Sequence, residues 1–559
     1  MRKSIIYLFS AVVTVAFTSC SGKLGALSAD NFTVTPNPLE TQAGQVPASI
    51  AGVFPEKYMK KKAVVTVVPE LRYGNGEVAL GTPATFQGEK VTGNDQTISY
   101  KVGGRYTMKT SFDYVPAMQQ SDMYLSFQAK VGKKVVEVPA VKVATGVIAT
   151  SELYKATVLS DGGCLAADAY QRITKQKQES AIKFLVNQAN IRKSELKSNS
   201  VKDFVSMLQQ INADQERLNL QNVEIQAYAS PEGSFDFNSK LSEKRQSATE
   251  DFVQKQLKEI NINTNIDAHY TAEDWEGFKQ LVAVSDIQDK DVIIRVLEMY
   301  KDPAEREQQI RNMSAGFQEL ATGILPELRR SRMIINYETI GRSDEQILAQ
   351  FKDDASQLSV DELLYGATLV NDNAQKTAIY EKAASLYPND ARAFNNLASM
   401  AMMRGDKSKA KQYVDKAIST STQIAEAYAN RGLLALVEGN INAAEADIAK
   451  ASTLGDSKYA QGVLNIAKGN YTAAAADLKG LKTNSTALAQ ILSKDYTSAV
   501  TTLDNVAVKN AATTYLHAIA AARRDNKFAA TSYLKEALEL DPSLADYAAK
   551  DLELAITRE

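Results

Sequence analysis

A two-residue turn that recurs through the C-terminal third of the chain constrains the fold more than any other feature. Asp372-Asn373, Gly405-Asp406, Gly439-Asn440, Gly469-Asn470, Lys494-Asp495 and Asp525-Asn526 follow one another at intervals of 33, 34, 30, 25 and 31 residues. Five residues after each first turn residue stand Thr377, Ala410, Ala444, Ala474, Ala499 and Ala530. Seven further on stand Ala384, Ala417, Ala451, Leu481, Val506 and Ala537. Such a period describes arrays of helical hairpins: small side chains let one helix close on its partner, and the turn residues supply the sharp connection. One hairpin cannot bury its apolar face alone. The hairpins therefore stack, giving residues 342–559 an all-α solenoid with one concave wall.

Leu397, Tyr413, Tyr428 with Gly432, Tyr533, and the stops at Pro388 and Asp541-Pro542 extend the pattern, which resembles the tetratricopeptide repeat family. That resemblance implies a scaffold that binds protein partners along the concave wall. The third to fifth units are short, and Leu481 and Val506 replace small residues there, which puts a specialised partner surface near Gly469 to Val506.

The other end of the chain is a leader. Arg2 and Lys3 precede an apolar run from Ile5 to Phe17, too short to span a bilayer, and Phe17-Thr18-Ser19-Cys20 follows. Residues 1–19 resemble a lipoprotein signal peptide, with Phe17 where that family more often has leucine. The resemblance implies lipidation of Cys20 and an anchor in the outer membrane. Residues Ser21 to Ala29 carry no acidic run of the kind that marks surface-exported lipoproteins of Bacteroidetes-type bacteria, so a periplasm-facing anchor is favoured over the cell surface. Cys164 is the one other cysteine, so no intramolecular disulfide forms once Cys20 carries lipid. A formal charge of -2 over 559 residues offers no basic field, which argues against nucleic acid as a partner.

Between leader and repeats the text changes character twice. Residues 20–150 alternate as strands, at Ala63 to Val68, Thr97 to Val102, Tyr124 to Ala129 and Val135 to Val143. Gly74-Asn75-Gly76, Gly93-Asn94-Asp95 and Gly103-Gly104 separate them as turns, and an all-β sandwich is expected. Residues 151–177, with Ser160-Asp161-Gly162-Gly163-Cys164, read as a linker. Residues 178–341 are mixed: strand Ala181 to Val186, helix Arg192 to Ile211, strand Val223 to Tyr228, helix Asn238 to Leu257 and strand Met333 to Tyr337. This order packs helices against a mixed sheet.

Within that stretch, Ala227-Tyr228-Ala229-Ser230-Pro231-Glu232-Gly233-Ser234, then Asn238, then Leu241-Ser242-Glu243-Lys244-Arg245 resembles the signature of the OmpA-like, peptidoglycan-associating domain. Leu328 to Ile335 looks like that family's arginine-rich last strand. The resemblance implies that Arg245 takes the carboxylate of diaminopimelate through paired N-H donors. The aspartate that would take the ammonium falls on Ser230, with Glu232 displaced by two residues. Arg245 also shares a helical stripe with Leu241, Ala248 and Phe252. It could instead bury its stem there and meet a sheet-edge carbonyl. Asn238 is expected to cap its helix. A helical insertion at 271–325 precedes the last strand, and its Trp275 is either a packing anchor or an interface hot spot.

Catalytic patterns are missing from the sequence. Cys164 as a nucleophile would need a base, and the chain holds only His269 and His517. No phosphate-binding glycine loop, metal-ligand spacing or nucleophile elbow occurs, so neither an enzyme nor a cofactor or metal is expected. The expected architecture is multidomain: an N-terminal β-sandwich, a central α+β OmpA-like domain with a helical insertion, and an all-α tetratricopeptide-repeat solenoid. Its expected partners are envelope proteins held by the repeats, the outer membrane through the anchor, and peptidoglycan through the central domain. The alternative is a surface lipoprotein whose OmpA-like fold binds no cell wall.

Overall fold

The computed structural model describes residues 24–287, 289–312 and 318–558, so Cys20 and its leader lie outside the described residues. These residues form two compact units. One joins the chain before Ala169 to the chain from Leu363 onward, and the other is Ala169–Glu362. No described helix is long and apolar enough to cross a membrane.

The first unit begins with two sheets. Strand β1 (Phe32–Thr35) pairs with β3 (Gln45–Phe54), which pairs with β8 (Gly104–Asp113), all antiparallel. The second sheet runs β10 (Lys134–Thr145), β9 (Ser121–Val131), β4 (Ala63–Tyr73), β6 (Ala84–Gly88), β7 (Gln96–Ile98), with β5 (Glu77–Leu80) beside β4. Alternate residues of β3 and β4 are buried, and Ile50, Phe54, Val65, Val67, Met108 and Leu125 share one core. Period-2 patterning thus produces the two facing layers. Strands β2 (Leu39–Glu40) and β11 (Val147–Ile148) form a short parallel pair.

The expected linker at 151–177 is a correction. Residues Tyr154–Asp161 form helix α1, which ends at Gly162 in the left-handed region (φ +79), and a sheet strand begins at Ile173. From Ala391 the same unit continues as helical hairpins: Ala391–Met403 with Lys407–Thr420, Ala425–Val437 with Ile441–Leu454, Lys458–Ala467 with Tyr471–Asp477, Asn484–Leu492 with Tyr496–Asp504, and Ala511–Ala522 with Lys527–Leu540. The repeated turn works through its second residue, which caps the following helix. Asp406, Asn440, Asp495 and Asn526 accept from the N-H of Lys409, Ala443, Ser498 and Ala529. Ala410, Ala417, Ala444, Ala451, Ala474, Ala499, Ala530 and Ala537 are fully buried between helices. Leu481 and Val506 are not, because their helices stop at Asp477 and Asp504. Leu478 and Leu503 fill the gap instead.

The second unit is a four-stranded sheet in the order β12 (Ile173–Lys183), β15 (Arg330–Ile340), β13 (Leu218–Tyr228), β14 (Asn265–Thr271). Strand β15 is antiparallel to both neighbours, and β13 is parallel to β14. Helices α2 (Asn199–Ala213) and α3 (Phe235–Glu259) bury Phe204, Leu208, Val253 and Leu257 against Ile182, Val223, Ile225 and Met333. Helix α2 starts later than expected because Ser198 caps it by accepting from Val201 N-H. Strand β14 is an addition to the expected order; it sets Ile266 and Ala268 against the core, both only partly buried. The insertion holds α4 (Trp275–Val284), α5 (Lys290–Met299) and α6 (Pro303–Asn312), with a small core of Phe278, Val282, Ile293, Leu297 and Leu328.

Candidate functional site

The concave wall of the solenoid is already occupied. Helix α1 lies against the first helices of all five hairpins, and its Tyr154 and Val158 belong to their core. Tyr154 Oη donates to Leu436 O at 3.2 Å. At the other end of α1 the Asp161 carboxylate accepts from Asn484 N and Ser485 N, both at 2.9 Å, and from Tyr459 Oη at 2.9 Å. An acid at a helix start satisfies amides that have no partner inside the helix. Burial nevertheless raises the pKa of this carboxyl against the pull of those donors.

Beyond α1 the chain runs extended across the wall and is gripped by its backbone. Asn430 accepts from Cys164 N at 2.7 Å and donates to Cys164 O at 2.8 Å. Asn396 accepts from Ala166 N at 2.8 Å and donates to Ala166 O at 3.1 Å. Asn395 donates to Cys164 O at 2.9 Å and accepts from Asn430. All three asparagines are buried. Gly163 has to be glycine: its φ is +74, and a Cβ there would stand 2.3 Å from Asn430 Oδ1. A carboxamide offers one donor and one acceptor side by side, as a neighbouring strand would.

The surface singled out near Gly469 to Val506 is likewise engaged within the chain. Gln42 Nε2 donates to Gly469 O at 3.4 Å, and Asn484 and Ser485 hold Ser160, Asp161 and Thr157. Short second helices there go with a wall that accommodates α1. The Cys164 thiol packs against this core, and burial pushes its pKa up to about 12, with Glu426 and Asp456 adding to the effect. A thiol held protonated makes a poor nucleophile. His517 stacks on Tyr533 at 4.6 Å, and His269 pairs with Asp267. Among the described residues no three metal-ligating side chains gather.

The second unit carries a cleft of about 260 Å³ at the C-terminal end of β13, lined by Val186, Ser230, Glu232, Asn238, Arg245 and Arg311 among others. Arg245 is 1 % exposed. Its Nε, Nη1 and Nη2 donate to Gln188 O, Tyr228 O and Leu185 O at 3.0, 2.8 and 3.2 Å. Burial, then the charge of Arg329, lowers its pKa to about 10. Of the two roles open to Arg245, the structure thus shows it meeting backbone carbonyls. Ser230 Oγ donates to Glu232 Oε1 at 2.8 Å, and Arg329 grips the same carboxylate through Nε at 2.9 Å and Nη2 at 3.0 Å. Glu232 is therefore committed, not aimed at a ligand ammonium.

Asn238 does not cap α3. The helix starts three residues earlier, after Ser234, and Asn238 donates to Ser230 O and Gly233 O, pinning the turn. Two arginines that bind Glu232 had no assigned role in the sequence reading. Arg329 lies in the arginine-rich run, and Arg311 arrives from the insertion, with Nη2 donating to Glu232 O at 2.6 Å. The asparagines of the solenoid were also missed. Asn395 and Asn430 stand 35 residues apart inside helices, where asparagine is a poor choice unless its side chain has a partner. Trp275 packs edge-on to Phe278 at 5.7 Å and donates to Glu273 Oε2.

No family model and no curated protein matches this chain. Among solved structures it is similar to a tetratricopeptide repeat protein from Parabacteroides merdae at 17 % identity, covering 39 % of this chain and 91 % of that one with a TM-score of 0.28. It is also similar to PilW, a type IV pilus biogenesis factor, at 17 % identity (39 % and 96 % covered, TM-score 0.24), and to the Cut9-Hcn1 assembly at 14 % (58 % and 71 % covered, TM-score 0.31).

Proposed function

We propose that this chain is an outer-membrane lipoprotein scaffold, anchored through Cys20 and facing the periplasm, that holds protein partners in an envelope secretion or assembly machine. The observation that carries the scaffold reading is the hairpin solenoid packed into one unit with the β domain that follows the leader. Because α1 fills the concave wall, partners meet the second helices and the hairpin edges. Crosslinking and mass spectrometry of the chain in intact cells should place partner crosslinks on Lys407–Thr420, Ile441–Leu454 or Lys527–Leu540. Crosslinks concentrated on the first helices would sink this assignment. Cys20→Ala should abolish labelling by an alkyne fatty acid and release the chain from membranes. Protease added to intact cells should leave it whole, and its degradation would move it to the surface.

The middle unit is read as an OmpA-like docking module, supported by its alternating strands and helices and by Arg245 of α3, whose head meets Tyr228 O at the end of β13. A second reading, a peptidoglycan tether, is favoured by the same arginine and opposed by the commitment of Glu232 and the serine at 230. Sedimentation with purified peptidoglycan decides between them.

A further inference from the structure

The cleft at the end of β13 combines two properties that the cell-wall reading does not use. Its floor is cationic: Arg245 lies beneath it, Arg311 comes in from α6, and the one acid lining it, Glu232, is neutralised by Arg329. Arg311 is also paired with Glu307 on its own helix, which leaves the floor with a net positive charge. Ser234 makes no side-chain capping bond, so the first-turn amides of α3 face the same place, with exposed Asp236 partly offsetting their positive end. The surroundings of the mouth are apolar. Val186 lines it at 50 % exposed, and Phe237, 46 % exposed, stands beside Gly233 of its lining. Exposed apolar side chains at the mouth of a cationic cleft mark an interaction site. At about 260 Å³ the cleft is smaller than the roughly 300–1,000 Å³ usual for a whole small ligand, and it suits a chain end.

We propose that this cleft captures the C-terminal carboxylate of a protein partner whose last residues are apolar, the carboxylate facing Arg311 and the α3 amides and the side chains lying on Val186 and Phe237. A free chain terminus supplies the anion and the apolar surface together and brings no ammonium, while Glu232, the acid among the described lining residues, is already bound by Arg329. Backbone amides and arginines are the usual chemistry of such capture. The inference rests on reading the middle unit as a docking module.

The test is fluorescence polarisation on the full chain without its leader. The probes are a fluorescein-labelled octapeptide ending in Leu-Phe with a free carboxylate and the same peptide amidated. The free acid should bind at least about tenfold more tightly, a difference near 1.4 kcal/mol. Arg311→Gln and Phe237→Ser, both at exposed positions where the fold is retained, should each weaken the free acid by about three- to tenfold. Equal affinity for acid and amide, no binding of either, or indifference to both substitutions would overturn the proposal. Displacement of the probe by a diaminopimelate-containing stem tripeptide would also overturn it and return the cleft to the cell wall. Sedimentation with peptidoglycan that excess free-acid peptide cannot reduce would instead overturn the docking-module reading itself.

Discussion

Replacing Asn430 by alanine tests whether the segment that crosses the solenoid wall is held as one piece. In the native chain Asn430 is fully buried and satisfies Cys164 N-H, Cys164 O and Asn395 Oδ1. Cys164 O keeps its donors Asn395 and Ser399 after the substitution, so two groups are orphaned, the amide of Cys164 and the oxygen of Asn395. A buried donor or acceptor left unpaired costs about 1–3 kcal/mol, giving a loss of about 2–6 kcal/mol for the two. Local opening of residues 162–168 should then be about thirty-fold to roughly twenty-thousand-fold more frequent. Hydrogen exchange read by mass spectrometry measures this directly. The informative probe is the amide of Ala166, because its acceptor is Asn396, which the substitution leaves alone. The single tryptophan, Trp275, belongs to the other unit and serves as an internal control by its fluorescence. If Cys164 exchanges faster while Ala166 keeps its native rate, the asparagines act independently and the segment is not gripped cooperatively.

Further outcomes follow from burial and packing. Arg245→Ala should destabilise the middle unit by about 3–5 kcal/mol, because three carbonyls lose their donor, and Trp275 fluorescence in urea should show the shift; an unchanged midpoint would mean Arg245 is not structural. Gly462→Val places a Cβ 2.4 Å from Leu478 Cγ and should cost about 1–3 kcal/mol in the heat stability of the solenoid unit, checked by calorimetry. The Asp551 carboxyl is fully buried, which raises its pKa to about 6 from 3.8. The folded state thus binds that proton more tightly than the unfolded one, so the contribution is full below about pH 4 and is lost as pH rises through 6. Asp551→Asn should flatten the fall in melting temperature across that window, and an unaltered slope would assign it elsewhere.

The repeats were legible because their turn chemistry is local: a left-handed residue followed by a side-chain cap writes itself into two adjacent letters. The strand-helix order of the middle unit was legible for a similar reason, period 2 giving way to period 3.6. What lay hidden depended on partners distant in sequence. Residues 151–177 look like a linker because their apolar pattern weakens and Ser160-Asp161-Gly162-Gly163-Cys164 reads as a loop, yet the bonds of Cys164 and Ala166 reach across 266 and 230 residues. Strand β14 does alternate, with Ile266, Ala268 and Tyr270 on one face, but it is short and only partly buried, and the sequence reading passed over it. The motif residues Ser230, Glu232 and Arg245 line one cleft, but only the coordinates show that Glu232 is spent on Arg329. Arg311 comes from an insertion that no motif covers.

The threading of α1 through the solenoid also sets an order of events during synthesis. Cys164 leaves the ribosome 266 residues before Asn430. At roughly 5–20 residues per second that is about 15 to 50 seconds during which α1 has no groove to enter. The middle unit, complete in itself between the two, is made in that interval. Tyr154 has no Leu436 carbonyl to meet until the second hairpin exists, and Asp161 no Asn484 and Ser485 amides until the fourth, so α1 docks in steps as the repeats are completed. A nonsense mutation within the repeats would therefore do more than shorten the solenoid: it would leave α1 without the later hairpins that pack against it.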